Sequence, residues 1–142
     1  MKIRIVSSRD ELETLEENEE LVHLAFRPSN KDIFLLVQGC KKLKGIHIPI
    51  SYKRSISKSI LMFLEMENIS LIEGDVWGHR KDINEYYEIK PQIFVRIKDL
   101  KKEGFSDEEI LTRLGIETRL SKDLIKYIIS DSIPRGLLCD YM

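Results

Sequence analysis

The chain has 142 residues, of which 42% are hydrophobic and 33% are charged, and its formal net charge is −1. These proportions are typical of a soluble globular domain, with or without a small appended module, and exclude a disordered or fibrous chain. A net charge near zero excludes a global field that steers the chain to nucleic acid or membrane, so any such binding needs a local patch.

The N-terminus predicts a strand and not a targeting signal. Ile3–Val6 follows a strand pattern and lacks the long apolar core of a secretory signal. No apolar run approaches the roughly 18 residues that span a membrane. Cys40 and Cys139 lie far apart and predict neither a disulfide framework nor a metal site. We therefore expect a cytoplasmic protein with no membrane association and no bound metal.

Four strand-like segments alternate with segments of helical periodicity in the first part of the chain. They are centred on Arg4, His23, His47 and Ser70, which are 19, 24 and 23 residues apart. Strand–helix–strand units at this spacing predict parallel pairing through right-handed crossovers. The sequence therefore predicts an α/β domain over residues 1–89, built on a four-stranded parallel sheet.

The predicted helices between these strands have recognisable starts. Ser8 and Glu11 fit a capping box for the first helix, and Ser29 is placed to cap the second. We expect a longer third helix to begin near Ser51, because apolar residues recur at helical spacing through Leu64.

The predicted strands alternate apolar and polar residues, which indicates two different sheet faces. The residues assigned to the apolar face are Ile3, Ile5, Val22, Leu24, Ile46, Ile48, Ile69 and Leu71. Arg4, His23, His47 and Ser70 then form an exposed polar ladder, with the helices mainly on the opposite face. This geometry resembles a leucine-rich repeat. The alternative is a doubly wound, Rossmann-like sheet covered on both faces. An open face of this size needs cover, so we expect the later helices or a second copy of the chain against it.

The stretch 74–87 holds the only tryptophan, Trp77, and the third histidine, His79, among charged residues. In this stretch the chain resembles an uncharacterised family of small archaeal proteins, and the likeness extends over residues 1–87. The phrases that carry it are Phe26-Arg27-Pro28-Ser29-Asn30 and Asp75-Val76-Trp77-Gly78-His79-Arg80. The resemblance implies an archaeal source and transfers no catalytic residue, because no activity is assigned to that family.

Residues 90–130 predict a compact module of three helices, followed by a tail over residues 131–142. Helix starts are predicted at Pro91, Ser106 and Ser121 from the proline and capping patterns. We expect the first two helices to end at Gly104 and Gly115.

This module resembles a helix-turn-helix of DNA-binding regulators through its Gly-Phe-Ser and Leu-Gly-Ile patterns. The likeness implies that Ser121–Ile129 enters a major groove, with Lys122 and Lys126 near phosphates. One objection is the connection from Gly115 to Ser121, which is about three residues longer than a tight turn requires. A second is charge, since the residues from 90 onward carry ten basic and nine acidic side chains, a net +1. The same pattern resembles a ubiquitin-associated bundle that binds protein, and a purely structural cover is the third alternative.

A second candidate site lies at the carboxyl ends of the strands, where open parallel α/β layers collect ligands beside helix N-termini. Arginine and serine together suit a phosphate or carboxylate. The residues assigned to this rim are Arg9, Arg27, Ser29, Ser51, Arg54, His79 and Arg80. The alternative is that the serines are helix caps and the cations are surface charge. No glycine-rich phosphate loop is present, so no nucleotide cofactor is predicted.

Histidines are also candidates for catalytic groups or metal ligands. His23 and His47 on neighbouring strands would stand about 5 Å apart, close enough to share a metal, but no third ligand is evident. His79 with Asp75 could serve as an acid–base pair. The sequence thus favours a non-enzymatic binding or regulatory protein, with a small anionic ligand at the rim and nucleic acid or protein at the helical module. The alternative is a small enzyme that uses His79 and Asp75 on a phosphorylated or carboxylated metabolite.

Overall fold

The computed structural model of the chain describes residues 1–76 and 85–132. These residues fall into two compact units. The first unit is Lys2–Glu88, and the second begins at Ile89 and includes Met1. Within the described residues, no helix is long and apolar enough to cross a membrane.

The first unit is built on a five-stranded sheet with the strand order β4-β3-β2-β1-β5. The strands are β1 (Lys2–Val6), β2 (Leu21–Leu24), β3 (Gly45–Ile48), β4 (Ser70–Glu73) and β5 (Tyr86–Glu88). Strands β1 to β4 pair in parallel, which confirms the predicted α/β fold with a parallel sheet. Strand β5 pairs antiparallel with β1 and was not found from the sequence, because three residues carry too little periodicity.

The helices of the first unit connect these strands. They are a 3-10 helix (Arg9–Thr14), α1 (Asn30–Gly39), α2 (Ile50–Lys53) and α3 (Lys58–Met66). Ser8 and Ser29 form the expected capping boxes. The prediction of one long helix from Ser51 is wrong. Two serine hydroxyls interrupt the helix by bonding to the backbone. The Ser55 hydroxyl donates to the Tyr52 carbonyl, and the Ser57 hydroxyl accepts from the Ile60 backbone N–H and caps α3.

A hydrophobic core lies between the sheet and the helices. It contains Val22, Leu24, Ile46 and Ile48 of the sheet, and its helical members include Ile33, Leu36, Ile60 and Leu64. On the opposite face His23 and His47 are buried, as is every other residue of β2 and β3. The expectation of an exposed polar ladder is therefore wrong for the two histidines, and these two strands have the burial expected of the alternative, a doubly wound sheet.

The register of the paired strands shows why the four predicted residues do not form one exposed polar row. Arg4 pairs with Val22, so it lies on the face toward the helices, and Ile5 takes the place beside His23. His23 pairs with His47, and both are buried, with exposed fractions of 1% and 0%. Ser70 pairs with Gly45 at the start of β3, and it alone of the four predicted members is exposed.

The second unit contains three helices: α4 (Pro91–Lys102), α5 (Asp107–Glu117) and α6 (Lys122–Ser132). Their starts agree with the sequence patterns, with Pro91 in the first turn of α4 and Ser106 in a capping box before α5. Gly104 has a φ of 91° and follows α4, as expected for a glycine at a helix end. The expected end of α5 at Gly115 is wrong, because the helix continues to Glu117.

Candidate functional site

The connection between α5 and α6 has the length of a helix-turn-helix turn. Residues 118–121 separate the two helices, and turns of three or four residues are usual in this motif. The Thr118 backbone N–H and hydroxyl both donate to the Leu114 carbonyl, at 2.8 and 2.6 Å, and so close α5. The Ser121 hydroxyl accepts from the Leu124 N–H at 3.1 Å and begins α6. The sequence-based objection about turn length is removed, since it assumed that α5 ended at Gly115.

Within residues 122–130, the exposed side chains of helix α6 form one narrow stripe. Its apolar residues are buried, namely Leu124, Ile125, Tyr127, Ile128 and Ile129. Lys122, Lys126 and Ser130 are exposed and recur at every fourth position, so they share one face of the helix. Both lysines that the sequence assigned to phosphate contacts therefore lie on the solvent side. Arg119, in the turn before α6, is a further exposed cation that was not among the residues assigned from the sequence, because that assignment considered only lysines of the last helix.

The surface beside this stripe carries acidic groups. The first turn of α5 holds Asp107, Glu108 and Glu109, which suit the positive end of the helix dipole. The Asp107 carboxylate lies 3.3 Å from the Lys101 ammonium. This ion pair borders a cleft of about 350 Å³, which is lined by Lys101, Asp107, Glu108, Leu111, Lys126, Ile129 and Ser130. The charge around α6 is thus mixed.

His23 and His47 form a buried pair on the opposite sheet face from the helices. Their Nδ1 atoms are 2.7 Å apart and their ring centroids 4.9 Å apart. Burial, and then the neighbouring His23, lower the pKa of His47 to about 3. The Nε2 atom of His47 is buried without a hydrogen-bond partner in the described part of the chain. No cluster of three or more metal-ligating side chains occurs among the described residues.

At the predicted anion rim, a carboxylate of the chain itself occupies the start of α1. Asp32 is buried and accepts from the Arg9 Nε at 2.9 Å and from the Ser29 backbone N–H at 2.8 Å. Burial alone raises the pKa of Asp32, but the hydrogen bonds from Ser29 and Arg9 outweigh it and hold that pKa below its ordinary value. The Ser29 hydroxyl accepts from the Asp32 N–H. Arg9 and Ser29 therefore belong to one cluster at the start of α1, where Ser29 caps the helix and Arg9 pairs with the Asp32 carboxylate.

The remaining described rim residues stay exposed. The Arg27 guanidinium lies over the Tyr52 ring, 5.6 Å from its centroid. Ser51 and Arg54 lie in and just after α2, the short helix that follows β3. Residues 79 and 80 of the predicted rim lie outside the described residues. The rim thus contains one cluster at α1 and separate cations near α2.

Arg4 belongs to a polar cluster that the sequence did not predict. Its Nη1 donates to Glu85 at 2.6 Å, and its guanidinium lies 5.6 Å from the centroid of the Tyr86 ring. The Tyr86 hydroxyl donates to the buried Glu19 carboxylate, which raises the pKa of Tyr86. These residues come from β1, β5 and the turn before β2, so no local motif could reveal them. Their contacts stabilise the pairing of the antiparallel edge strand β5 with β1.

Two family models match successive parts of the chain. Residues 2–85 match the N-terminal domain of a family of unknown function, DUF1699, and residues 92–130 match the C-terminal HTH domain of the same family. The chain belongs to the DUF1699 family. No curated protein and no solved structure matches it. The predicted resemblance to an uncharacterised family is thereby confirmed, while the archaeal source stays a prediction.

In this DUF1699 chain the HTH match covers nearly all of α4, α5 and α6, and therefore includes the turn and the lysine stripe described above. The proposed acid–base pair falls in a different place. Asp75 is exposed and accepts from the backbone N–H of its neighbour Val76 at 3.0 Å. His79 lies outside the described residues, so a catalytic role for the two stays a prediction.

Proposed function

We propose that this DUF1699 protein is a non-enzymatic regulatory protein that binds nucleic acid through its C-terminal helical module. In this proposal α6 enters a major groove, and α5 crosses the phosphate backbone beside it. Lys122 and Lys126 contact phosphates from one face of α6, and Arg119 contacts them from the turn.

The observation that carries the proposal is the combination of a short turn with a single exposed, basic stripe on α6. The turn of residues 118–121 has the length used by helix-turn-helix proteins. The match to an HTH domain over residues 92–130 supports the same assignment. Because Leu124, Ile125 and Ile128 of α6 are fully buried, Lys122 and Lys126 are held on the opposite, exposed side of the helix.

Electrostatics sets the expected strength of this binding. With three cations in reach of phosphates, the slope of log affinity against log salt is about −3, since each neutralised phosphate contributes about −0.9. The acidic side chains in the first turn of α5 would repel phosphates where this helix crosses the nucleic-acid backbone. We therefore expect modest affinity that is strongest at low salt.

The test measures binding of the full chain to a labelled DNA duplex by fluorescence anisotropy across a salt series. Replacing Lys122 and Lys126 together by glutamine should weaken binding by at least tenfold at ~50 mM salt and reduce the salt slope by about 2. The matched control replaces Lys41 and Lys42, two exposed lysines of the first unit, and should leave binding unchanged. Absence of binding at ~50 mM salt, or an equal loss in the control, would sink the proposal.

The acidic turn favours a second candidate, a basic protein ligand in the cleft beside α6. Replacing Asp107 by Asn and Glu108 by Gln separates the two candidates. If the ligand is nucleic acid, removing two negative charges should tighten binding severalfold. If it is a basic protein, the same double variant should bind its ligand more weakly, and DNA affinity should be negligible in both forms.

Other parts of the proposal extend beyond the helical module. A small anionic ligand at Arg27 and Arg54 remains part of it, because within residues 1–76 and 85–132 neither exposed side chain pairs with a carboxylate as Arg9 does. The alternative of a small enzyme rests on His79 and Asp75 and is tested by a metabolite thermal-shift screen in which His79→Ala abolishes any stabilisation. A cytoplasmic location and a homo-oligomer also belong to the proposal.

A further inference from the structure

Exposed apolar side chains concentrate on two neighbouring helices of the first unit. Eight large apolar side chains are exposed among the described residues, and five of them lie on α1 and α3, namely Phe34, Leu35, Leu61, Met62 and Met66. The two helices adjoin, since the rings of Phe34 and Phe63 meet edge to face at 4.7 Å. Single exposed apolar residues are ordinary, but a group on adjoining helices marks an interaction surface.

The outward side of α3 has a simple pattern of charge around this apolar group. Ile60 and Leu64 face the core, so the direction opposite to them is occupied by Met62, which is 63% exposed. Lys58 and Glu65 lie on the same outward stripe, four residues before Met62 and three residues after it. Neither charged group has an ion-pair partner within residues 1–76 and 85–132.

This pattern is complementary to itself when the helix is turned end for end. Lys58 and Glu65 have opposite charges and lie about equally far from a point between Leu61 and Met62, about 10 Å from each other along the helix axis. A two-fold axis through that point would bring Lys58 of one copy opposite Glu65 of the second copy, twice, with the methionines between them. Two-fold interfaces require this kind of self-matching surface.

We propose that the protein forms a homodimer in which α3 packs antiparallel against α3 of a second copy. The apolar centre is Met62 with Leu61 and Met66, and two symmetric Lys58–Glu65 ion pairs flank it. The charge pattern favours a second copy over an unrelated protein, because the midpoint between the two opposite charges falls on the exposed apolar pair Leu61 and Met62, as a two-fold axis through an apolar centre requires. Methionine adapts readily to an opposing surface, which suits a contact of this kind.

The dimer goes beyond nucleic-acid binding and does not depend on it. If both hold, one assembly carries two helix-turn-helix modules, and the second contact becomes intramolecular once the first has formed. That gain would offset the modest charge of each single module.

The test is the mass of the full chain in solution, measured without nucleic acid by sedimentation equilibrium. The wild type should approach twice its chain mass of 16.7 kDa. Met62→Glu should give a monomer, while Ile116→Glu, a change at a still more exposed apolar residue of the second unit, should leave the dimer intact. Lys58→Glu and Glu65→Lys should each weaken the dimer at least tenfold, and the double variant should restore it to within a factor of about three of wild type.

The charge variants also separate loss of contact from loss of folding. Lys58→Glu adds an acid at the start of α3 and Glu65→Lys adds a base near its end, and both changes suit the helix dipole. A wild-type monomer at the highest soluble concentration would overturn the dimer. A dimer that survives Met62→Glu would overturn the α3 interface, and failure of the double variant to restore assembly would overturn the antiparallel arrangement. None of these outcomes depends on DNA binding, which is measured separately.

Discussion

The Nδ1 atoms of His23 and His47 lie 2.7 Å apart in neighbouring parallel strands, and both rings are buried. Two bare lone pairs cannot bond, so one imidazole carries a proton on Nδ1 and donates it to the other. The neutral pair carries one ring proton on each imidazole, and one further proton would place a positive charge in the buried interior. The pair is therefore stable in its neutral form, and its protonation is linked to folding.

The first prediction concerns pH. The pKa of His47 is about 3 in the folded protein against an ordinary value of 6.5, so the unfolded chain binds a proton that the folded chain rejects. Its contribution to stability is fully present above pH 6.5 and is lost as pH falls from 6.5 toward 3, with a limiting slope of about 1.4 kcal/mol per pH unit. Urea unfolding between pH 5 and pH 8 measures this slope, and His47→Gln should make it shallower. Equal slopes in the two proteins would contradict the prediction.

The second prediction concerns the coupling of the two histidines. His23→Leu or His47→Leu alone removes one partner of a buried hydrogen bond, which costs roughly 1–3 kcal/mol of unfolding free energy. The double variant removes both polar groups, so it should be less destabilised than the sum of the single variants, by about 1–2 kcal/mol. A double-mutant cycle by urea unfolding at pH 8 measures the difference. Simple additivity would show that the contact contributes nothing.

The third prediction concerns Asp32. Asp32→Asn weakens the hydrogen bonds from the Ser29 backbone and from Arg9 and should lower the unfolding free energy by about 1–2 kcal/mol. Arg9→Gln should cost less, below about 1 kcal/mol, because the Arg9 side chain is 62% exposed. Because the pKa of Asp32 is lowered, its contribution is present above its ordinary value of 3.8 and is lost as pH falls below it. The control Asp10→Asn, at an exposed carboxyl, should be nearly neutral.

The fourth prediction compares two glycines of the helical module. Gly115 lies within α5, and a Cβ atom there would meet nothing within 4 Å, so Gly115→Ala should stabilise the protein by about 0.5–1 kcal/mol. Gly104 has a φ of 91°, so Gly104→Ala should destabilise it by about 1 kcal/mol although space is equally free. Thermal unfolding of both variants tests the pair. A stabilised Gly104→Ala protein would contradict the assigned helix end.

Local chemistry made a large part of this structure predictable. The caps at Ser8, Ser29, Ser106 and Ser121 depend on side chains that bond to backbone groups three residues away, and such bonds are visible as sequence patterns. The parallel pairing followed from the spacing of strands and helices, since that spacing leaves room for a crossover and none for a hairpin. Lys122 and Lys126 were assigned from the likeness to a helix-turn-helix, and both side chains are exposed on α6.

Other features depended on contacts between distant parts of the chain. Arg9 and Asp32 are 23 residues apart, and Tyr86 reaches Glu19 across 67 residues. The end of α5 was missed because glycine weakens a helix without forcing it to stop, and the packing of Leu114 and the bonds from Thr118 carry it further.

The strand pattern by itself determined that His23 and His47 lie on the opposite side of their strands from Val22 and Ile46, because side chains alternate at every residue. The alternation of side chains within one strand does not determine its register with neighbouring strands, and it does not show which elements cover each face of the sheet. A register of Arg4 with Val22 moved the arginine to the face toward the helices, since a shift of one residue reverses the face. The spacing of the strands also placed the two imidazoles side by side on neighbouring strands, but only the tertiary structure decided that both are buried away from water.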